Sequence, residues 1–249
     1  MTVDAMDLGN EAYDRGDYRA AAELFRTVAG DERGEALFNA GNSLAALGDN
    51  AGAIDAFSQA VGLKVHGAAF NLGTVLERVG RPEDATDSFL IADREGDPKA
   101  PLALAFMAYD RSATDARAWL AKAIECTDEE LALLAADVGL VWQWEDTKDP
   151  ALEGDLREAA SRYVDADVAL GELLVTRGDV EPGLSRWRSA ARDGSANARI
   201  KLGNYYWERG SYRKAARQFE KGVEIGDDHC AENLALLRDE QRRRRRGSQ

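Results

Sequence analysis

The chain has 249 residues, 45% of them apolar and 31% charged, with only five prolines. That balance excludes a largely disordered protein and favours helix over sheet, while the length fits one large domain, two ordinary ones or an elongated array. The formal net charge is −13, but six arginines against Asp239 and Glu240 make the last twelve residues +4, so the rest carries −17. So acidic a body repels phosphate backbones and argues against general nucleic-acid binding outside the C-terminal tail.

In chain order, "LGNEAYDRGDYRAAAELF" (Leu8 to Phe25) aligns without a gap on "AGNSLAALGDNAGAIDAF" (Ala40 to Phe57), a shift of 32 residues. The same shift reaches "LGTVLERVGRPEDATDSF" (Leu72 to Phe89), and the pattern returns as "LGELLVTRGDVEPGLSRW" (Leu170 to Trp187) and "LGNYYWERGSYRKAARQF" (Leu202 to Phe219). Between Gly73 and Gly171 there is room for two weaker copies, with Ala105 and Gly139 at the matching small position. The first joins a helix over Leu102 to Asp110 to "DARAWLAKAIE". The second joins "ELALLAADVGLVWQWE" to "PALEGDLREAASRY", where Asp149 caps and Pro150 fits a first turn. "ENLALLRDEQ" then forms a capping helix, because the end of an array needs a polar outer face.

Each unit is predicted to be two antiparallel helices. Gly16, Gly48, Gly80, Gly178 and Gly210 fall where the first helix ends in a left-handed residue; Asp17, Asp49, Asp179 and Ser211 cap the second, and Pro82 starts one. The in-helix glycines Gly9, Gly41, Gly73, Gly171 and Gly203 let the two helices approach, with Ala21, Ala53, Ala85 and Ala215 as the small facing surface. Phe25, Phe57, Phe89, Trp187 and Phe219 are expected to fill the gap to the next unit. A glycine inside a helix costs about 1 kcal/mol relative to alanine, so five in register imply a packing return.

These residues resemble the tetratricopeptide repeat family over almost the whole chain. "SRWRSAARDGSANARIKLGNYYWERG" also resembles Sel1-like repeats. The departures are a period of 32 instead of 34, scarce proline at unit ends (Pro98 excepted) and blurred units over 98–163. The expectation is an all-α solenoid, a superhelix of about seven helix-pair repeats plus a capping helix. Its segments are repeats over 1–97, two degenerate pairs over 98–163, further repeats over 164–227, the cap over 228–241 and a disordered arginine-rich tail over 242–249.

The resemblance implies a concave face lined by the first helix of each pair. The outward positions there are Asn10, Tyr13, Asn39, Asn42, Asn71, Thr74, Arg78, Lys201, Asn204 and Trp207. A row of amides that donate and accept at once could hydrogen-bond the backbone of an extended peptide, or could equally face water as a family habit. Some family members hold an acidic C-terminus through basic residues. Met6, Phe38 and Phe70 stand at the corresponding positions here, so a neutral or basic peptide or protein suits the acidic body better.

Little points to catalysis. His66 and His229 lack the spacing of a metal pair or of a base beside a nucleophile, and the glycines recur singly instead of forming a phosphate loop. Cys126 and Cys230 have no Cys-x-x-Cys partner and are expected to be buried and reduced. No metal or cofactor is expected. Trp119 and Trp187 lie on packing stripes. Trp142 and Trp144, two residues apart, cannot share a face, and one exposed indole would make the irregular middle a second contact surface. Arg242, Arg243, Arg244, Arg245 and Arg246 are either a solvated, fraying helix end or a contact for RNA, anionic lipid or an acidic protein surface. No run of apolar residues is long enough to span a membrane and no leader pattern opens the chain, so a cytoplasmic protein is expected. The reading is a non-enzymatic scaffold or adaptor, with a nucleic-acid adaptor that uses the tail as the alternative.

Overall fold

The computed structural model describes residues 4–109 and 113–247. Among them the chain forms α1 (Ala5–Asp14), α2 (Tyr18–Thr27), α3 (Arg33–Ala46), α4 (Asn50–Gly62), α5 (Ala68–Arg78), α6 (Pro82–Arg94), α7 (Ala100–Tyr109) and α8 (Ala113–Ile124). It continues with α9 (Glu129–Thr147), α10 (Glu153–Ala159), α11 (Val164–Arg177), α12 (Val180–Arg192), α13 (Ala196–Glu208), α14 (Tyr212–Glu224) and α15 (Asp228–Gly247). There is no strand among the described residues, and the helices fall into seven consecutive pairs followed by α15, as expected for an α-solenoid. The predicted end of one helix at Asp110 lies outside the described residues.

Two compact units emerge, Met1–Ala135 and Ala136–Gln249, with the boundary inside α9. In the first, each helix from α1 to α8 packs on its chain neighbours, and α3 also touches α5. In the second, α10 to α15 do the same, and α11 touches α13, which touches α15. First helices of successive pairs therefore lie side by side within a unit.

The turns follow the sequence logic. Gly16, Gly48, Gly80, Gly178 and Gly210 all have positive φ, between 67° and 102°, a region open to glycine at no steric cost. Asp17 accepts a hydrogen bond from the Ala20 N–H at 3.1 Å and Asp49 from Gly52 at 3.0 Å. Two expected caps behave differently: the Asp179 carboxylate is taken by Arg177 instead of the backbone, and the Ser211 side chain makes no cap bond. Asp149 does cap, accepting from Ala151 at 2.9 Å, and Pro150 opens the short 3-10 turn that leads into α10.

The packing glycines have a second role besides letting the two helices approach. The large aromatics, expected to fill the gap to the next unit, do so at Trp187, which lies against Tyr205, and at Phe219, which packs with Leu234 and Leu237 of α15; each is at the same time seated on the glycine of its own pair. A Cβ added at Gly9 would stand 2.5 Å from the Phe25 ring, at Gly41 2.6 Å from Phe57, at Gly73 2.6 Å from Phe89 and at Gly171 2.6 Å from the Trp187 indole. Phe219 covers Gly203 in the same way. The missing side chain is thus a socket for a ring: Phe25, Phe57, Phe89 and Phe219 are at most 1% exposed, and Phe57 and Phe89 are backed by Phe38 and Phe70. Ala21, Ala53, Ala85 and Ala215 are fully buried, as their small size suggested.

Two further expectations change. Trp142 and Trp144 are both buried, at 7% and 2% exposure, so neither indole offers a contact surface. Residues 200° apart on a helix can both be buried when the helix is covered on more than one side. At the C-terminus the helix does not stop at residue 241: α15 runs to Gly247. Arginine is a strong helix former, and Arg243 and Arg244 each pair with a carboxylate one turn back, Asp239 and Glu240, both at 2.7 Å.

Candidate interaction surface

In the first unit, α1, α3 and α5 carry the predicted polar row. Asn10 and Tyr13 are exposed on α1, and Thr74 and Arg78 on α5, while Asn39, Asn42 and Asn71 are half-buried. Tyr13 stacks edge-on against Tyr18. The Thr74 hydroxyl donates back to the Phe70 carbonyl at 3.1 Å, a bond that fixes its rotamer without using its outward lone pair. Asn71 donates from its amide nitrogen to the Asn42 carbonyl oxygen at 2.9 Å, which couples α3 to α5. That bond leaves the Asn42 amide hydrogens and the Asn71 side-chain oxygen for another molecule or for water.

The second unit repeats the geometry with charges. Asn42 follows the packing glycine of its repeat, and Asn71 lies two residues before the next one. Glu172 and Lys201 hold the same two places and pair at 3.0 Å across α11 and α13. Sequence reasoning missed Glu172. Its other oxygen accepts from Lys148 at 3.2 Å, and the Trp144 indole N–H donates at 3.3 Å to the oxygen that Lys201 holds. Partial burial works against the ionised form of Glu172, yet Lys201, Lys148 and the indole hold its carboxyl below the usual carboxylate range.

Asn204 and Trp207 come together with Glu208, Tyr212, Glu240 and Arg244 around a cavity of about 300 Å3 on α13, α14 and α15. The Trp207 indole N–H donates to Glu240 at 2.6 Å, and Arg244 pairs with the other oxygen while lying 5.2 Å from the Tyr212 ring centre. The indole bond, and after it Arg244, keep the Glu240 carboxyl below its ordinary range despite some desolvation. Trp207 is therefore engaged by the capping helix and is only partly available to a ligand.

Of the arginine run, Arg242, Arg243 and Arg244 are on the surface, and the side chains of Arg245 and Arg246 lie outside the described residues. His66 and His229 are both exposed, and no cluster of three metal-ligating side chains occurs among the described residues. No described helix is long and apolar enough to cross a membrane. Cys230 is buried as expected; Cys126 is half-exposed, contrary to expectation, because it lies just past the end of α8 and not on its packed face.

The seven helix pairs, their glycine sockets and the rows of adjacent first helices define an α-solenoid of helix-turn-helix repeats. The family model for the tetratricopeptide repeat matches residues 6–64 and 168–229, just under half of the chain, in agreement with the tetratricopeptide resemblance that the sequence carries. Among solved structures it is similar to a tetratricopeptide repeat protein from Parabacteroides merdae, with a TM-score of 0.75 and 16% identity over 94% of this chain and 97% of that one. It is also similar to c5321, a protective antigen of uropathogenic Escherichia coli displaying an SLR fold (TM-score 0.61, 21% identity, 95% of this chain and 56% of that one). A third is a chain of the APC/C hetero-tetramer Cut9–Hcn1 (TM-score 0.67, 11% identity, 95% and 49%). The chain thus spans about half the length of these last two. At such identities the likeness establishes the fold alone. No curated protein matches.

Proposed function

We propose that the chain is a non-enzymatic interaction module that holds a peptide or partner protein against its first helices. Repeat folds of this type generally mediate protein–protein interaction. The observation that carries the finer reading is the Asn42–Asn71 bond: two half-buried amides fix one another and still present a donor and an acceptor outward. Asn10 and Thr74, each directly after a packing glycine, extend the polar row on α1 and α5. An extended backbone laid along this row meets complementary groups at each repeat. The acidic body favours a neutral or basic partner, since opposite charge steers encounter.

The test is a peptide array of neutral, basic and acidic sequences probed with the full chain and with Asn42→Ala/Asn71→Ala. Basic and neutral peptides are expected to be retained by the native chain and lost by the double variant, with both proteins unfolding at the same temperature. Equal retention by the two, or a preference for acidic peptides, refutes this assignment.

A further inference from the structure

The second unit contains a cavity of about 570 Å3 walled by α12, α13 and α14. Four cations line it, Arg188, Arg192, Arg199 and Lys221, together with Ser185 and Gln218, and no acidic side chain does. In a chain of net charge −13 that concentration runs against composition. The helical spacing is what converges them: Ser185, Arg188 and Arg192 lie along one face of α12, and Gln218 and Lys221 are one turn apart on α14.

The charges are largely uncompensated. Arg188 reaches Glu181 at 3.1 Å, whose side chain is mostly in water, and also Tyr206. Among the described residues, Arg192 has only the Ser189 hydroxyl, at 3.4 Å. Lys221 has no carboxylate within ion-pair distance among the described residues, and the Arg199 Nε is buried without a hydrogen-bond partner. A buried donor on a charged group is costly unless something outside the chain accepts from it.

Arg199 stands four residues before its packing glycine, where the second and third repeats carry Leu37 and Ala69, both buried. The places of Arg188, Arg192 and Lys221 are held between those repeats by Ser58, Gly62 and Ile91. The junction between the second and third repeats is uncharged at all four places; Arg26 and Arg94 hold single ones at the neighbouring junctions, and only here do four cations converge on one cavity.

We infer that this cavity binds a small phosphorylated molecule. Guanidinium forks match phosphate oxygens in pairs, and phosphate carries the multiple charge that four converging cations require. The volume lies in the range of small-molecule pockets, and Ala191 and Leu202 supply an apolar wall for the organic part. This site is separate from the polar row on the first helices and does not depend on it.

Pyrophosphate is the probe, titrated calorimetrically into the full chain at low ionic strength, with citrate as the carboxylate control. Saturable binding at a single site is expected, weakened by about tenfold or more in Arg199→Leu and in Lys221→Gln. Arg199→Leu places there the leucine that the second repeat buries at Leu37, so it is expected to unfold no earlier than the native chain, and Lys221 is exposed, so its loss leaves packing intact. The exposed Arg15→Gln is expected to change nothing. No saturable heat at millimolar pyrophosphate, equal binding by the cavity variants, or citrate binding as tightly as pyrophosphate overturns the inference.

Discussion

Replacing Gly73 by alanine tests the socket arrangement on which each helix pair depends. The new Cβ would lie 2.6, 2.8 and 3.0 Å from three carbons of the Phe89 ring, against about 3.5–4.0 Å for relaxed carbon contacts. The ring must retreat by roughly 1 Å, yet it is 1% exposed and backed by Phe70 with 5.4 Å between centroids. Overpacking of this kind costs about 1–3 kcal/mol, offset by the roughly 1 kcal/mol that alanine gains over glycine within a helix. A net loss of up to about 2 kcal/mol follows. Because the propensity gain is independent of the ring, it cancels in a double-mutant cycle with Phe89→Leu, which leaves the steric part alone. The double variant is expected to lose about 1–3 kcal/mol less than the two single losses added together. Urea unfolding followed by far-ultraviolet circular dichroism gives the four midpoints. Gly62→Ala is the control: its Cβ meets nothing within 4 Å, and it is expected to be neutral or slightly stabilising. Additive losses, or a Gly73→Ala protein as stable as the Gly62→Ala one, refute the socket.

Glu172→Gln is expected to lower stability at neutral pH by about 1–3 kcal/mol, since it removes charge-assisted bonds to Lys201 and Lys148 at a partly buried site. The folded carboxyl titrates below the usual range. Its contribution is therefore full above the unfolded value of about 4.3 and disappears as the pH falls through the folded one. The gap between native and variant midpoints should close on acidification; a gap that widens refutes the pairing. For the thiols, burial and then the Asp227 hydrogen bond push Cys230 up to about 12, whereas Cys126 is half-exposed. An aromatic disulfide reagent should titrate one thiol rapidly in the native chain and both after denaturation. Reaction of both at one rate in the native state contradicts the burial of Cys230.

The repeat and its turns were legible because their causes are local. A left-handed glycine ends a helix by its own φ, and Asp17 or Asp49 reaches a backbone N–H three residues on, so a short window contains the whole mechanism. The aromatic sockets were less so, since a ring late in a helix could turn to its own partner helix or to the next pair. A signal did exist: glycine and ring stand 16 residues apart in all five clear copies, from Gly9 and Phe25 to Gly203 and Phe219. A constant offset within a repeat favours a contact within it. Trp142 and Trp144 misled for a different reason. Face arithmetic on one helix identifies a side as exposed only when a single side is covered.

Sites were harder to infer because a repeat fixes packing positions and leaves the others free. Asn42 and Asn71 were found from the row of amides, but their bond to one another needed a comparison across 29 residues, the same offset that joins Glu172 to Lys201. A search for complementary side chains at that offset would have found Glu172. The cationic cavity defeats even that search, since its four charges are distributed over three helices from 188 to 221 within a chain whose overall charge is negative. What distinguishes it is substitution against the repeat, with arginine where Leu37 and Ala69 pack. In an array built from one packing rule, a position that breaks the rule at an energetic cost points to function more strongly than one that merely repeats. By that measure Arg199 carries more information about a ligand than the asparagines do.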